Sequence, residues 1–145
     1  YKGQLYITGR IADVISIGNR KYDAHDMEQV LANAHVALMD YGLAVFSVGL
    51  DTGSALVVAA EIKLSARQEL DAQMVIERIH AVCMEYFNVD ITEVILIKPQ
   101  HLPRTTSGKI KRYVCRQMYL QNRMENIRLT TTIAVNNPRA TMPLY

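Results

Sequence analysis

Tryptophan is absent from the 145 residues, phenylalanine occurs twice, and glycine and proline number only seven and four. So little glycine and proline argues against a collagenous, low-complexity or linker-like chain. No apolar run approaches the roughly 18 residues that a membrane-spanning helix needs, and no charged-then-apolar leader opens the chain. Excess charge is lacking too: the net charge is +2, too small to argue for nucleic acid or an anionic membrane as partner. Only two cysteines occur, Cys83 and Cys115, far apart and inside apolar-periodic stretches. His80 lies three residues before Cys83 with no second pair to match it, so no metal-ligand spacing arises. Two reduced, packed thiols are expected, and with them a cytoplasmic setting.

What is present suits one packed domain: half of the residues are hydrophobic and 21% are charged. The first residues, Tyr1-Lys2-Gly3-Gln4-Leu5-Tyr6-Ile7, read as a strand already under way without an initiator Met, the pattern of a piece of a longer chain. Asp13–Ile17 reads as a second strand, followed by a turn at Gly18-Asn19. Asp23 is a helix N-cap, after which Met27, Val30, Leu31 and Ala34 fall on one helical face. Residues 43–50 and 54–64 form two nearly continuous apolar runs around Asp51-Thr52-Gly53, a hairpin with a three-residue loop and both faces covered. Between Asp71 and Phe87 a stripe of Val75, Ile76, Ile79, Val82, Cys83, Tyr86 and Phe87 marks the clearest helix. Val94–Ile97 is a strand ended by Pro99, and Ile110, Val114 and Met118 space a last helix. The order ββ-α-ββ-α-β-α predicts an α+β fold, a mostly antiparallel sheet with helices packed on it. We divide the chain into a strand and hinge segment (1–12), a domain (13–125) and a tail (126–145).

The segment Leu102-Pro103-Arg104-Thr105-Thr106-Ser107-Gly108-Lys109-Ile110-Lys111-Arg112 stands apart. Pro103 holds the backbone extended, three hydroxyl side chains follow, and Gly108 permits unusual dihedrals. Lys109 comes next, where the last helix is expected to begin, and can extend as a point charge toward phosphate or a developing oxyanion. On the residues alone a plainer reading stands beside this one: a helix start capped by Ser107 or Thr106, with solvated cations behind. A phosphate-binding P-loop is excluded, because the glycine required five residues before Gly108 is Pro103. A nucleic-acid patch of Lys109, Lys111, Arg112 and Arg116 has only Tyr113 as an aromatic neighbour and no accompanying signature.

Residues 102–112 resemble the final core motif of the adenylate-forming superfamily: acyl-CoA synthetases, peptide-synthetase adenylation domains and fatty-acyl-AMP ligases. Gly9-Arg10-Ile11-Ala12-Asp13, running through Gly18 to Glu28, resembles that superfamily's hinge motif, roughly a hundred residues upstream. The resemblance covers about residues 1–125 and is nearest to the fatty-acyl-AMP ligases through Asn19–Glu28. In that branch the usual Arg-Asn order stands here as Asn19-Arg20, and Asp23 replaces a frequent Pro.

The resemblance implies a small mobile C-terminal domain of an ATP-dependent ligase. Lys109 then assists carboxylate adenylation, Thr105, Thr106, Ser107 and Gly108 form its loop, and Arg10 contacts the nucleotide near the ribose. Ala12 aligns with the hinge residue, usually Asp or Lys in the family, so the pivot is Ala12 or, one register on, Asp13. Glu28 reads as a structural residue that pairs with a base. ATP and Mg2+ are implied, bound mainly by the large N-terminal adenylation domain, so the chain alone is expected to be inactive. A fatty acid is the implied substrate and an acyl carrier protein the implied acceptor, with coenzyme A as the alternative that these residues leave open. No metal site is expected in the chain. A reading of another class keeps Lys111, Arg112 and Arg116 as a basic helix docking an acidic carrier protein without catalysis.

Overall fold

The computed structural model describes residues 14–50, 53–66 and 70–129. Strands β1 (Val14–Ile17) and β2 (Arg20–Asp23) form an antiparallel hairpin. Its two-residue turn places Gly18 at φ +62°, the glycine-first pattern of a type II′ turn. Helix α1 (Ala24–Leu31) follows at once, with the Asp23 carboxylate accepting the Asp26 N–H at 3.1 Å. The cap is the expected one. It satisfies one of the four donors left open at a helix start.

The second sheet is mixed, in the order β3-β4-β5. β3 (Leu38–Leu50) and β4 (Gly53–Ile62) are antiparallel, whereas β5 (Glu93–Ile97) joins β4 in parallel through the crossover helix α2 (Ala72–Phe87). Two of the three strand pairings are thus antiparallel, and the α+β reading holds. Leu50 pairs with Gly53, so the hairpin loop has two residues rather than three, and β4 ends at Ile62 with Leu64 exposed beyond it.

Alternation along the strands explains why both runs are apolar throughout. Leu56, Val58, Ala60 and Ile62 face a core completed by Met27 and Leu31 of α1 and by Val75, Ile76 and Ile79 of α2. Ala55, Val57 and Ala59 face the other way, onto Cys115 and Tyr119 of helix α3 (Arg112–Leu120). Three layers result, with the sheet in the middle. α2 is capped by the Asp71 carboxylate and closed by Asn88 in the left-handed conformation, φ +57°. Tyr86, read from spacing as part of its buried stripe, is 62% exposed. The last helix differs more. It starts at Arg112, not directly after Gly108, and its buried face is Cys115 and Tyr119, leaving Ile110 and Met118 at the margin. Packing also continues past residue 125: Leu129 is buried, and Arg128 bridges to Ile97.

Two irregularities interrupt this regular packing. Between the pairs Leu38–Ile62 and Leu43–Ala60, four residues of β3 (Met39–Gly42) oppose the single residue Glu61. Such a bulge bends the strand and re-aims its neighbours. Tyr41 sits there at φ +57°, a conformation that bulky side chains rarely adopt. Second, the α3-facing rows of β4 and β5 end in two fully buried carboxylates, Glu61 and Glu93. Glu93 accepts the Tyr119 hydroxyl at 2.7 Å.

Gly42 is held by this crowding. A Cβ there would stand 2.9 Å from the Met39 Cβ and 3.2 Å from both Cβ and Oε1 of Glu61. Gly42→Ala is therefore expected to destabilise the domain by about 1–3 kcal/mol, as overpacking does. A urea melt checks this: the midpoint falls while the slope is unchanged.

Both cysteines are free and buried, as the sequence predicts. Burial pushes the Cys83 thiol up to about 11 and the Cys115 thiol up to about 12, from an ordinary value of 9.0. The folded state therefore holds protons that the unfolded chain releases above about pH 9. Stability from this source is complete below pH 9 and is lost as pH rises through the folded values. In melts at stepped pH, a Cys83→Ala/Cys115→Ala variant is expected to show a shallower alkaline decline than the parent.

Candidate active site

The segment singled out in sequence is a tight, exposed turn rather than the first turn of a helix. Thr105 C=O accepts the Gly108 N–H at 2.9 Å, closing a four-residue turn in which Gly108 adopts φ +93°. A side chain at that φ would be strained, which accounts for glycine there. Thr105 N–H donates to the Lys109 carbonyl at 2.8 Å, and the Lys109 N–H donates to the Thr105 hydroxyl at 3.2 Å. The Thr105 and Ser107 hydroxyls lie 3.0 Å apart. Arg104 and Ile110 then pair as an antiparallel bridge, and the Lys111 N–H reaches the Pro103 carbonyl at 2.9 Å. The hydroxyl-rich wording thus knits the turn to itself. Neither Thr106 nor Ser107 caps a helix, since α3 begins after Lys111 and carries no side-chain cap. Thr105, Thr106, Ser107, Gly108 and Lys109 are all exposed.

Two guanidinium–carboxylate pairs hold the ends of this turn. At the entry, Arg104 grips Glu61 with both terminal nitrogens, Nη2–Oε1 at 2.6 Å and Nη1–Oε2 at 2.9 Å, while the Leu102 N–H donates to Oε2 at 2.8 Å. Arg104 also reaches the Tyr41 carbonyl of the bulge, at 3.4 Å. The hydrogen bond to Glu61 is the largest influence on Arg104, strengthening its hold on its proton against the opposing effect of burial. At the exit, Arg112 forks onto Glu28 of α1, Nε at 2.7 Å and Nη2 at 2.8 Å. Glu28 Oε2 also accepts the Val45 N–H at 2.9 Å, so α1, β3 and α3 meet at one carboxylate. Glu28 thus pairs with a basic side chain in a structural role, as the sequence suggests.

Between these anchors the ammonium of Lys109 is carried outward on a backbone with little freedom. The bidentate fork is the geometry that gives Arg–carboxylate pairs both direction and strength. Beside the turn lies an open hollow of about 540 Å³ walled by Met39, Asp40, Tyr41, Gln100, Arg104 and Gly108, among others.

The remaining expectations fare differently. Arg10, Ala12 and Asp13 lie outside the described residues. The basic helix proposed for carrier docking is largely committed inward: Arg112 to Glu28, and Arg116 Nε to the Ser47 carbonyl at 2.9 Å. Among the described residues no three His, Cys, Asp or Glu side chains converge as a metal site. His80 is half-buried on α2, its imidazole pushed below the ordinary range by burial against a smaller opposing influence of Asp90.

Sequence reasoning misses Glu61 and Arg104 as partners. The available signal is Glu61 itself, the one charge within an otherwise apolar β4, and an arginine just before the hydroxyl cluster. Nothing in the spacing joins them across 43 positions.

No protein-family model matches the chain. It is 32% identical over 123 residues to the medium-chain-fatty-acid–[acyl-carrier-protein] ligase JamA of Moorena producens (strain JHB), covering 85% of this chain and 21% of that protein. It is 30% identical over 146 residues to the long-chain-fatty-acid–AMP ligase FadD32 of Mycobacterium marinum, covering 87% of this chain and 23% of that one. Among solved structures, the fatty acid AMP ligase from Legionella pneumophila superposes with a TM-score of 0.57 at 25% identity, over 70% of this chain and 18% of that chain. McyG A-PCP complexed with phenylalanyl-adenylate gives a TM-score of 0.68 at 19% identity, over 82% and 19%, a likeness of fold. The chain spans about a fifth of the length of the relatives it matches. With the two motifs, the α+β architecture and these relatives in agreement, the chain belongs to the adenylate-forming superfamily, as its C-terminal region.

Proposed function

We propose that this chain is the C-terminal part, with residues 13–125 as the domain, of an ATP-dependent fatty-acyl-AMP ligase, and that Lys109 is its catalytic residue. One observation carries the reading: an exposed lysine at the end of a self-bonded turn, clamped at entry and exit by buried or half-buried ion pairs. A flexible loop would leave the origin of the lysine undefined; this geometry fixes the backbone from which it extends.

The chemistry has two halves. A fatty-acid carboxylate oxygen attacks the α-phosphorus of ATP, forming the acyl–phosphate bond as the bond to pyrophosphate breaks. Two anions approach, and negative charge grows on the phosphoryl oxygens. An ammonium preplaced between them stabilises that state and orients the carboxylate. A thiol, on our reading that of an acyl carrier protein, then attacks the acyl carbon and AMP departs. JamA is by name an acyl-carrier-protein ligase, which supports that acceptor. Arg10 is assigned to the nucleotide near its ribose. The larger adenylation domain of the family holds the triphosphate. Mg2+ is assigned, with the triphosphate, mainly to that larger domain. The free thiols, and a chain in which no described helix is long and apolar enough to cross a membrane, accord with a cytoplasmic enzyme.

In the assembled enzyme, with this chain joined to its adenylation domain, Lys109→Ala is expected to slow acyl-adenylate formation by about 10²–10³-fold, roughly 3–4 kcal/mol, without a change in melting temperature. Pyrophosphate release checks it, and activity within a few-fold of the parent would remove Lys109 from the mechanism. Transfer from preformed acyl-adenylate is expected to change little, because the lysine has to leave for that step.

The segment 1–12 is assigned as the strand and hinge that allow that movement, with Ala12 as pivot and Asp13 as the alternative register. Proline fixes φ near −65° and cannot follow a hinge rotation. Ala12→Pro is expected to leave adenylation in place and to depress thiol transfer steeply, whereas Ala12→Asp is mild. Single-turnover assays of the two half-reactions separate the cases: equal effects on both, or none, point to Asp13 instead.

A further inference from the structure

Glu61 is an expensive residue to bury for stability alone. It terminates an apolar row on β4, is fully buried, and sits across from a four-residue bulge that holds Tyr41 in an unfavourable conformation. An apolar pair in its place would often serve stability as well or better. Its acceptor capacity goes in one direction. Among the described residues, the donors that reach it are the Leu102 N–H and both terminal nitrogens of Arg104, all in the segment that leads into the Lys109 turn. From Arg104 the connection is short: Arg104 bridges Ile110, and Thr105 holds the Lys109 carbonyl at 2.8 Å. Any shift of the Arg104 backbone is passed to Lys109 through this two-rung ladder.

We propose that Glu61, acting through Arg104, is a positioning residue for Lys109 in the adenylation half-reaction, fixing where the ammonium is delivered rather than whether the domain folds. The proposal rests on the catalytic assignment of Lys109. Neither Glu61 nor Arg104 touches substrate on this reading. The bulge is the space that lets a carboxylate stand at the sheet's end, and strain at Tyr41 persists because the surrounding contacts over-determine it.

The test uses the assembled enzyme and four variants: Glu61→Gln, Arg104→Lys, Lys109→Ala and the double variant Glu61→Gln/Lys109→Ala. Glu61→Gln keeps the volume and an acceptor for Leu102 but removes the ion pair; Arg104→Lys keeps the charge but loses the fork. Each is expected to lower kcat for pyrophosphate release roughly 10- to 100-fold, the effect of about an ångström of misplacement. KM for ATP and the rate of transfer from preformed acyl-adenylate are expected to stay within about threefold of the parent. The double variant is expected to be no slower in adenylation than Lys109→Ala alone, because a group that acts only through Lys109 has nothing left to act on. Should Glu61→Gln fail to fold, Arg104→Lys carries the same comparison. The positioning role is overturned if Glu61→Gln and Arg104→Lys leave adenylation near the parent rate while Lys109→Ala cripples it. It is equally overturned if both half-reactions fall together, or if the double variant shows additive losses. A normal Lys109→Ala enzyme would instead overturn the functional assignment itself.

Discussion

A carboxylate buried without a partner is among the least tolerable features a protein interior can hold, and Glu61 is made tolerable only by the fork of Arg104 and the Leu102 amide. That requirement organises much of the molecule. The bulge in β3 gives the pair room, Gly42 keeps the space clear, and the chain after β5 must return across the sheet's end to supply the donors. The turn beyond it inherits a fixed origin. At its far side the Glu28–Arg112 pair supplies a second origin from α1. A loop pinned at one end can swing; one pinned at both can carry a side chain to a defined place.

The two pairs do not cost the same. Glu61 is fully enclosed, and its partner is one-fifth exposed, so solvent screens little of the interaction and removing one partner strands the other. Glu28 and Arg112 both retain some access to water, and part of their role is to supply an acceptor for the Val45 N–H. The entry to the turn is therefore the stiffer of the two fixings. The other fully buried acid, Glu93, is quieted by the Tyr119 hydroxyl and the nearby Arg128, and anchors α3 at the opposite end of the same face.

Much of this is legible in the sequence where local chemistry decides the outcome. The Asp23 cap, the Gly18 turn and the two-faced apolar strands follow from residue type and spacing. So does the exceptional character of residues 102–112. The start of the last helix is misread because Thr106 and Ser107 are good capping residues. Here the Thr105 hydroxyl binds back to Lys109 and the turn closes on itself, a competing use of the same side-chain chemistry. Residues 38–42 do not read as strand because Asp40-Tyr41-Gly42 breaks the alternation, which is what a bulge does to a pattern. Glu61–Arg104 is invisible for another reason: the pairing is set by how a parallel crossover brings the end of β5 beside β4, and no local signal encodes that.

The sheet's outer margins show how the same side chains restrict association. Along β3, the outward Val45 N–H is taken by Glu28 and the outward Ser47 carbonyl by Arg116, one from α1 and one from α3. Along β5, the Lys98 N–H donates to the Ile127 carbonyl and the Leu129 N–H to the Leu96 carbonyl. Exposed strand margins are templates on which foreign strands add and aggregates grow. Here both are occupied at these positions by groups from the domain itself, which opposes strand addition there. Residues 127–129 consequently serve as a guard rail, and a chain cut short before them would present β5 as an open, largely apolar ledge ready to pair with another copy.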